Sequence, residues 1–228
     1  MNTIVHVPHA SLRIPSEFRD QFLLTDQDLV QEARESADLY TDIHAQEAWS
    51  TAQIICSDIS RLVVDVERYP DDTDERMSKY GRGMIYTSTH LGRPLRRNLS
   101  EVEKQDLRKR FYDLHWARLR AAAKDGILID LHSYPKDPWA IEAYPTASRP
   151  EIDLGTDEKL TPQDWINSLR SHFENLGFSV GQNTPYAGVI DAGSKFAVMI
   201  EIRRDVLCSP EEKAQWQKVS DAWPAPTS

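Results

Sequence analysis

The chain of 228 residues is 40% hydrophobic and 28% charged, proportions that are typical of a globular protein. Its net charge of −9 argues against a nucleic-acid-binding protein, which needs a basic surface to bind phosphates. The two cysteines form no CxxC pair, and no apolar run approaches the ~18 residues of a membrane-spanning helix. We therefore expect a single domain over residues 1–228, in a cytoplasmic protein that binds neither nucleic acid nor membrane.

The first half of the sequence predicts three strands and one long helix. The β-branched stretch IVHV indicates a strand that ends at Pro8, AQIICSDI indicates a second strand, and RLVVDVE indicates a third. Apolar residues at helical spacing predict a helix from about Asp26 to Thr51. Segment 69–97 is rich in Pro, Asp, Gly and Arg and indicates a long loop, which in compact domains is usually functional or mobile.

The second half predicts two helices and the central strand of a sheet. Ser100 and Glu103 have the spacing of a capping box at the start of a helix that extends to Lys124, and a second helix covers residues 161–176. ILIDLHS indicates the central strand, and FSVGQNTP and KFAVMIEIRRD indicate the last strands. This alternation predicts an α/β fold with a mixed, mostly parallel central sheet and flanking helices.

Polar side chains lie at the ends of several predicted strands, where ligands bind in sheets of this class. His9 follows the first strand, His132 ends the strand ILIDLHS, and Glu201 lies within the apolar strand AVMIEIRRD. Two histidines and a carboxylate are typical of a catalytic zinc site that keeps one position open for water. The alternatives are a hydrogen-bonded core histidine at His132 and a structural ion pair between Glu201 and Arg203.

A carboxylate ligand must come from a separate segment, because the residues that follow His9 are Ala, Ser and Leu. Asp38, in ESADLYTD, is flanked by apolar residues on the predicted helix and can face inward. Glu35 and Asp42 lie close to it on the same helical surface and remain alternatives. Asp38 could also be an ordinary solvated acid of the helix.

A group of arginines lies near the strand ends and in the long loop: Arg61, Arg68, Arg82, Arg203 and Arg204. Guanidinium groups bind carboxylates in bidentate geometry, so this group favours a small-molecule carboxylate as the ligand. The alternative is that these arginines pair with the acids of PDDTDE.

Other reaction classes have less support from the motifs. The sequence contains no GxGxxG and no GxxxxGK[ST], so nucleotide binding has no motif behind it. A serine hydrolase is disfavoured because GxSxG is absent, and because the adjacent residues His132 and Ser133 point to opposite faces of a strand. A non-catalytic binder of small acidic ligands remains an alternative to an enzyme.

Taken together, the motifs resemble those of the N-formylglutamate amidohydrolase (N-formylglutamate deformylase) family. The matching pieces are VPHAS, SADLYTDIH, SRLVVDVERYPDD, GRGMIYT, DLHSYP, NTPYAG and FAVMIEIRRD, in the order of the family from residue 4 to residue 208. The resemblance implies a zinc carboxypeptidase-like (phosphorylase/hydrolase-like) architecture. It also implies hydrolysis of the formyl amide of N-formyl-L-glutamate, in histidine breakdown.

The resemblance further implies roles for individual residues. One zinc ion per chain would be bound by His9, Asp38 and His132, and Glu201 would be the catalytic carboxylate. The arginines expected to bind the substrate carboxylate are Arg61 and Arg203, with Arg68 and Arg82 as further candidates. We expect the protein to be a monomer or a small homo-oligomer.

Two departures from the family pattern affect the expected substrate. The turn PHAS stands where the family usually has PHSG, and Glu67-Arg68 stands where the family usually has an Asn-Arg pair. The additional negative charge of Glu67 could repel a dicarboxylate. A different N-acyl amino acid is therefore an alternative to N-formylglutamate.

Overall fold

In the computed structural model, which describes residues 1–207 and 224, six strands form one sheet. The strands are β1 (Thr3–Val7), β2 (Gln53–Cys56), β3 (Ile127–Tyr134), β4 (Ile152–Gly155), β5 (Val180–Gln182) and β6 (Phe196–Arg203). Their order in the sheet is β2-β1-β3-β6-β4-β5, and all neighbours are parallel except β4 and β6. This confirms the predicted mixed, mostly parallel sheet.

Five α-helices and shorter helical segments surround the sheet within the described residues. The helices are α1 (Asp26–Ser36), α2 (Thr41–Ala48), α3 (Glu101–Leu107), α4 (Asp113–Ala123) and α5 (Gln163–Asn175). Two 3-10 helices cover Ser16–Gln21 and Arg76–Tyr80, and a π-helical segment, Arg108–Tyr112, joins α3 to α4. No helix in the described part of the chain is long and apolar enough to span a membrane.

Strand β3 separates two parts of the hydrophobic core, because successive side chains of a strand point to opposite faces. Ile129 and Leu131 belong to one buried cluster together with Trp165 of α5. Leu128 belongs to another, together with Leu119 of α4. Every residue of β3 is buried, as expected for the centre of a sheet covered on both faces. The even-numbered residues Asp130 and His132 therefore share the α4 face with Leu128.

The predicted helix from Asp26 to Thr51 is wrong in one respect, because two helices with a break between them occupy this segment. Ala37 is extended, with φ −80° and ψ 152°, and Tyr40 is left-handed, with φ 68°. The backbone N–H of Asp38 donates to the carbonyl of His9 at 3.0 Å. Asp38 thus lies in the break rather than on a helix, and the break fixes it beside the segment that follows β1.

The strands differ from the prediction in two further places: one predicted strand is absent from the sheet, and one strand was not predicted. RLVVDVE forms turns, in which the N–H of Val63 donates to Ser60 and the N–H of Asp65 donates to Met84. Its apolar residues are buried in a cluster with α1 instead of in the sheet. Strand β4 was missed because it has only four residues, in a polar stretch.

Cys56 is a free thiol, whereas Cys208 lies outside the described residues.

The capping box at Ser100 is confirmed, and its removal should destabilise the protein. Ser100 Oγ accepts from the N–H of Glu103, and Glu103 Oε2 accepts from the N–H of Ser100 at 2.8 Å. Ser100→Ala should lower the free energy of unfolding by about 1 kcal/mol in urea denaturation. Ser168→Ala on α5 is the control, because this exposed hydroxyl only donates back to the carbonyl of Asp164. Equal losses in the two variants would contradict a specific capping contribution.

Candidate active site

The candidate site lies at the carboxyl ends of β1, β3 and β6, which meet at one edge of the sheet because these strands are parallel. His9 follows β1 by two residues, His132 lies near the end of β3, and Glu201 lies near the end of β6. His132 and Glu201 are register partners and therefore share one face of the sheet. The exposed fractions of His9, His132 and Glu201 are 2%, 3% and 7%. The structure thus brings together three residues that the sequence predicted separately.

Asp38 completes the cluster from the break between α1 and α2. Its Oδ2 lies 3.5 Å from Nδ1 of His9 and 3.3 Å from Nδ1 of His132. Nδ1 of His9 is buried and has no hydrogen-bond partner in the described part of the chain. One nitrogen from each imidazole therefore faces the same carboxylate oxygen.

The opposite nitrogens of both imidazoles face other carboxylates. Nε2 of His9 lies 2.9 Å from Oδ1 of Asp65. Nε2 of His132 lies 3.0 Å from Oε1 of Glu67 and 3.1 Å from Oδ1 of Asp130. A carboxylate accepts hydrogen bonds, so each Nε2 carries a proton and donates it. In a neutral imidazole, Nδ1 then has the free lone pair.

Either a proton or a cation must lie where these nitrogens meet Asp38, because an imidazole lone pair and a carboxylate oxygen repel each other. A proton on Nδ1 of His132 would donate to Oδ2 of Asp38 at 3.3 Å. Two ligands of a tetrahedral zinc ion, each at 2.0–2.1 Å from the metal, lie about 3.3–3.4 Å apart. The separations of 3.5 and 3.3 Å from Asp38 Oδ2 are close to this value. The preference for positive charge also appears in the pKa of His132. Burial lowers that pKa, but the charges of Glu67 and Asp130 raise it well above its ordinary value.

A second arrangement of ligands uses Glu67 instead of Asp38. One ligand atom from each of His9, Glu67 and His132 lies within 4.8 Å of the other two. Oε2 of Glu67 is 3.7 Å from Nε2 of His9. We favour the arrangement with Asp38, because Nε2 of His9 already donates to Asp65 and Nε2 of His132 already donates to Glu67. In both arrangements, buried His, Asp and Glu side chains could hold a metal ion.

Asp65 fixes the ring of His9 and is itself fixed by Arg61 and Tyr86. Oδ2 of Asp65 accepts from Nη2 of Arg61 at 2.7 Å and from the hydroxyl of Tyr86 at 2.6 Å. Burial raises the pKa of this carboxyl, but the charge of Arg61 lowers it by more, and the net pKa is well below its ordinary range. Asp65 therefore remains ionised and accepts a hydrogen bond from Nε2 of His9.

The other predicted arginines surround this cluster, and each pairs with acids of the protein. Arg82 is almost fully buried, contacts Glu32 at 3.3 Å and lies over the ring of Tyr86. Arg203 forms a bidentate pair with Asp205, with its Nε at 2.6 Å and its Nη2 at 3.2 Å.

Arg68 and Arg204 have weaker or incomplete pairing. Arg68 lies 3.7 Å from Asp65 and 3.9 Å from Glu75, and its Nε has no hydrogen-bond partner among the described residues. Nη2 of Arg204 donates to Oδ1 of Asp38 at 3.2 Å.

Glu201 belongs to a row of ionisable groups that crosses the sheet from His132 through Glu201 to Asp153 of β4. Burial raises the pKa of Glu201 from about 4.5 to about 8; His132 opposes this shift, whereas Asp38 and Glu67 add to it. Oε2 of Glu201 is buried without a hydrogen-bond partner in the described chain. Glu201 is therefore a carboxyl that can exchange a proton near neutral pH.

The sequence profile of the N-formylglutamate amidohydrolase family matches residues 1–208. The chain belongs to this family. Solved structures with the same fold support the assignment of architecture. Comparison of the sequence with curated proteins finds no match.

Two crystal structures resemble this amidohydrolase-family chain over most of its length. The structure of N-formylglutamate amidohydrolase from Ralstonia eutropha JMP134 has a TM-score of 0.77 and 17% identity, and the match covers 96% of this chain and 90% of that chain. The structure of a gene product from Agrobacterium tumefaciens has a TM-score of 0.72 and 18% identity, with coverage of 96% and 86%. At these identities the likeness shows the fold alone.

Several residues of this amidohydrolase-family site were not recognised from the sequence as members of it. Asp65 and Asp130 each lie within an apolar run, VVDV and ILIDL, and a buried acid in such a run must have a partner. That signal could have identified both. Glu67 was noticed only as a departure from the family pattern. Arg204 was grouped with the other arginines, but no sequence feature indicated its contact with Asp38.

The stability of the protein should depend on pH through Asp153. Burial raises the pKa of this carboxyl from 3.8 to about 7, which means that the folded protein holds a proton that the unfolded chain loses near pH 4. Stability should therefore fall, relative to Asp153→Asn, as pH rises from about 4 to 8, by on the order of a few kcal/mol. Urea denaturation across this range measures the difference. Asp137→Asn, at an exposed position, is the control. A pH-independent difference between wild type and Asp153→Asn would contradict the raised pKa.

Proposed function

We propose that the protein is a metal-dependent hydrolase that cleaves the amide bond of N-formyl-L-glutamate or a related N-acyl amino acid. The observation that carries this proposal is the convergence of Nδ1 of His9 and Nδ1 of His132 on one oxygen of Asp38. Membership of the N-formylglutamate amidohydrolase family supports the reaction class. A role in histidine breakdown would follow for the N-formylglutamate substrate.

His9, Asp38 and His132 would hold one zinc ion per chain in this proposal. When bound at such a site, zinc lowers the pKa of a coordinated water and polarises a carbonyl group. Asp65 would hold the ring of His9, and Glu67 and Asp130 would hold the ring of His132, each by accepting a hydrogen bond from Nε2. Acceptors of this kind orient histidine ligands and increase their basicity. Arg204 would restrain the carboxylate of Asp38 through the contact at its Oδ1.

Glu201 would transfer the protons of the reaction. Its carboxylate would take a proton from the attacking water and then donate it to the nitrogen of the leaving amine. A pKa of about 8 suits both steps, because the group can accept and release a proton near neutral pH. The unpartnered Oε2 supports this role, since a structural carboxylate at this depth would have a hydrogen-bond donor.

The predicted arginines differ in how well they suit the substrate carboxylate. Arg68 and Arg203 retain exposed side-chain fractions of 32% and 17%, compared with 2% for Arg82. The incomplete pairing of Arg68 makes it the best candidate, and Arg61 would act mainly through Asp65. A groove of about 530 Å³ lies beside Arg204 and Trp139 and could admit a small substrate.

Zinc affinity should show whether Asp38 or Glu67 is the third metal ligand. Asp38→Asn should weaken zinc affinity by more than about 100-fold, whereas Glu67→Gln should weaken it by less, within the ~10–100-fold range of an outer partner. Competition with a chromophoric chelator measures both affinities. A larger loss in Glu67→Gln than in Asp38→Asn would support the alternative arrangement with Glu67.

Glu201→Gln should retain zinc and lose turnover by about 10²–10⁴-fold, because the proton carrier is removed while the ligands stay. The measurement is amine release from N-formyl-L-glutamate and from a panel of other N-acyl amino acids, with metal content determined in parallel. Glu174→Gln, at an exposed position on α5, is the matched control.

The panel also tests the substrate. If the protein releases amine only from another N-acyl amino acid, the proposed amide hydrolysis stands and N-formyl-L-glutamate is rejected as the substrate. An active Glu201→Gln variant would refute the role of Glu201. Zinc-loaded wild-type protein that hydrolyses none of the panel would reject the hydrolase and favour a binder of acidic ligands.

A further inference from the structure

A buried chain of hydrogen bonds extends from His132 away from the proposed metal site. It consists of Asp130 on β3, His6 on β1 and His115 on α4, which are all almost fully buried. His6 and Asp130 are register partners on neighbouring strands, so their side chains share the face that α4 covers. The proposed mechanism assigns no role to His6 or His115.

The distances connect these residues into a continuous chain. Nε2 of His115 lies 2.8 Å from Nε2 of His6, and Nδ1 of His6 lies 2.8 Å from Oδ1 of Asp130. The same oxygen of Asp130 lies 3.1 Å from Nε2 of His132. One carboxylate oxygen therefore contacts both His6 and His132.

The direction of each hydrogen bond follows from Asp130. Its Oδ1 faces a ring nitrogen of His6 and a ring nitrogen of His132 and accepts from both, so Nδ1 of His6 donates to it. An imidazole whose single ring proton is at Nδ1 has a lone pair at Nε2, so Nε2 of His6 accepts a hydrogen bond from Nε2 of His115. Nδ1 of His115 is left unprotonated, which agrees with its lack of a hydrogen-bond partner within the described residues. The whole chain thus has one consistent assignment of protons.

The environment of His115 supports this assignment. Burial lowers the pKa of His115 to about 3. His115 is therefore neutral near pH 7 and has a single ring proton to donate.

We propose that His6, oriented by His115, is a positioning residue that fixes the carboxylate of Asp130 and through it the ring of His132. The inference rests on the proposed metal site, because its effect is to present Nδ1 of His132 to the metal. With His6 in place, Asp130 cannot rotate away from Nε2 of His132 without breaking a buried hydrogen bond. His6 and His115 thereby link α4 to the metal-binding geometry.

A second metal ion is the competing interpretation of this cluster. One ligand atom from each of His6, Glu67 and Asp130 lies within 4.8 Å of the other two. However, 2.8 Å between Nδ1 of His6 and Oδ1 of Asp130 is a hydrogen-bond distance and is shorter than the ~3.3 Å between two zinc ligands. We therefore interpret this contact as a hydrogen bond and not as two ligands of one metal ion.

Substitutions at His6 separate positioning from mere packing. His6→Leu removes the donor to Asp130, whereas the side-chain amide of His6→Asn can replace the Nδ1 proton. We expect His6→Leu to weaken zinc affinity by about 10–100-fold, and His6→Asn to restore it to within about threefold of wild type. Affinity is measured by chelator competition, and the folding of each metal-free variant is checked by thermal unfolding. Thr161→Val is the control, because it removes a buried hydrogen bond to the carbonyl of Ala197 near the opposite end of β6.

Nitrogen-15 NMR of histidine in the wild-type protein tests the proton assignment independently of metal. Protons at Nδ1 of His6 and at Nε2 of His115 are expected, and the opposite tautomers would overturn the proposed chain. Equal zinc affinity in wild type and His6→Leu would overturn this inference alone. Two zinc ions in the wild-type protein and one in His6→Leu would show that His6 binds a second metal ion and does not position Asp130. A wild-type protein that binds no zinc would overturn the proposed function together with this inference.

Discussion

The approach of two imidazole nitrogens to one carboxylate oxygen of Asp38 is the constraint on which the rest of the site depends. At 3.5 and 3.3 Å, these atoms are compatible only if a proton or a metal ion lies between them. The surrounding carboxylates Asp65, Glu67 and Asp130 direct the ring protons away from this point. The excess of buried negative charge around Asp38 therefore favours a positive charge at this point.

The backbone accounts for how segments distant in sequence reach the same point. Parallel strands β1, β3 and β6 end at one edge of the sheet, which places His9, His132 and Glu201 together. The break between α1 and α2 adds Asp38, through the hydrogen bond from its N–H to the carbonyl of His9. Turns between Arg61 and Arg68 add Asp65 and Glu67 from the remaining side. Strand β3 and the segment after β1 supply the histidines, and irregular backbone supplies Asp38, Asp65 and Glu67.

The sequence predicted most of the sheet and the main site residues, because the signals for them are local. Strand β3 is a continuous apolar run that ends in His132, and the helix at Ser100 has a complete capping box. The same local reasoning placed Asp38 on a helix, because the break depends on a hydrogen bond to His9, 29 residues earlier in the chain. RLVVDVE was predicted as a strand because a buried apolar run does not distinguish sheet pairing from packed turns. The pairing of the arginines depends on tertiary contacts and has no signal in their own segments.

The hydrogen bond between the backbones of Asp38 and His9 also bears on what the protein does without a metal. It links two of the proposed ligands through main-chain atoms, so their separation is set by the fold and not by the ion. The two parts of the core on either face of the sheet consist of apolar side chains and include none of the proposed ligands. A small zinc-dependent domain unfolds when its metal is chelated. Here the backbone holds two of the proposed ligands together by itself, so binding of an ion at this position would cost little conformational entropy.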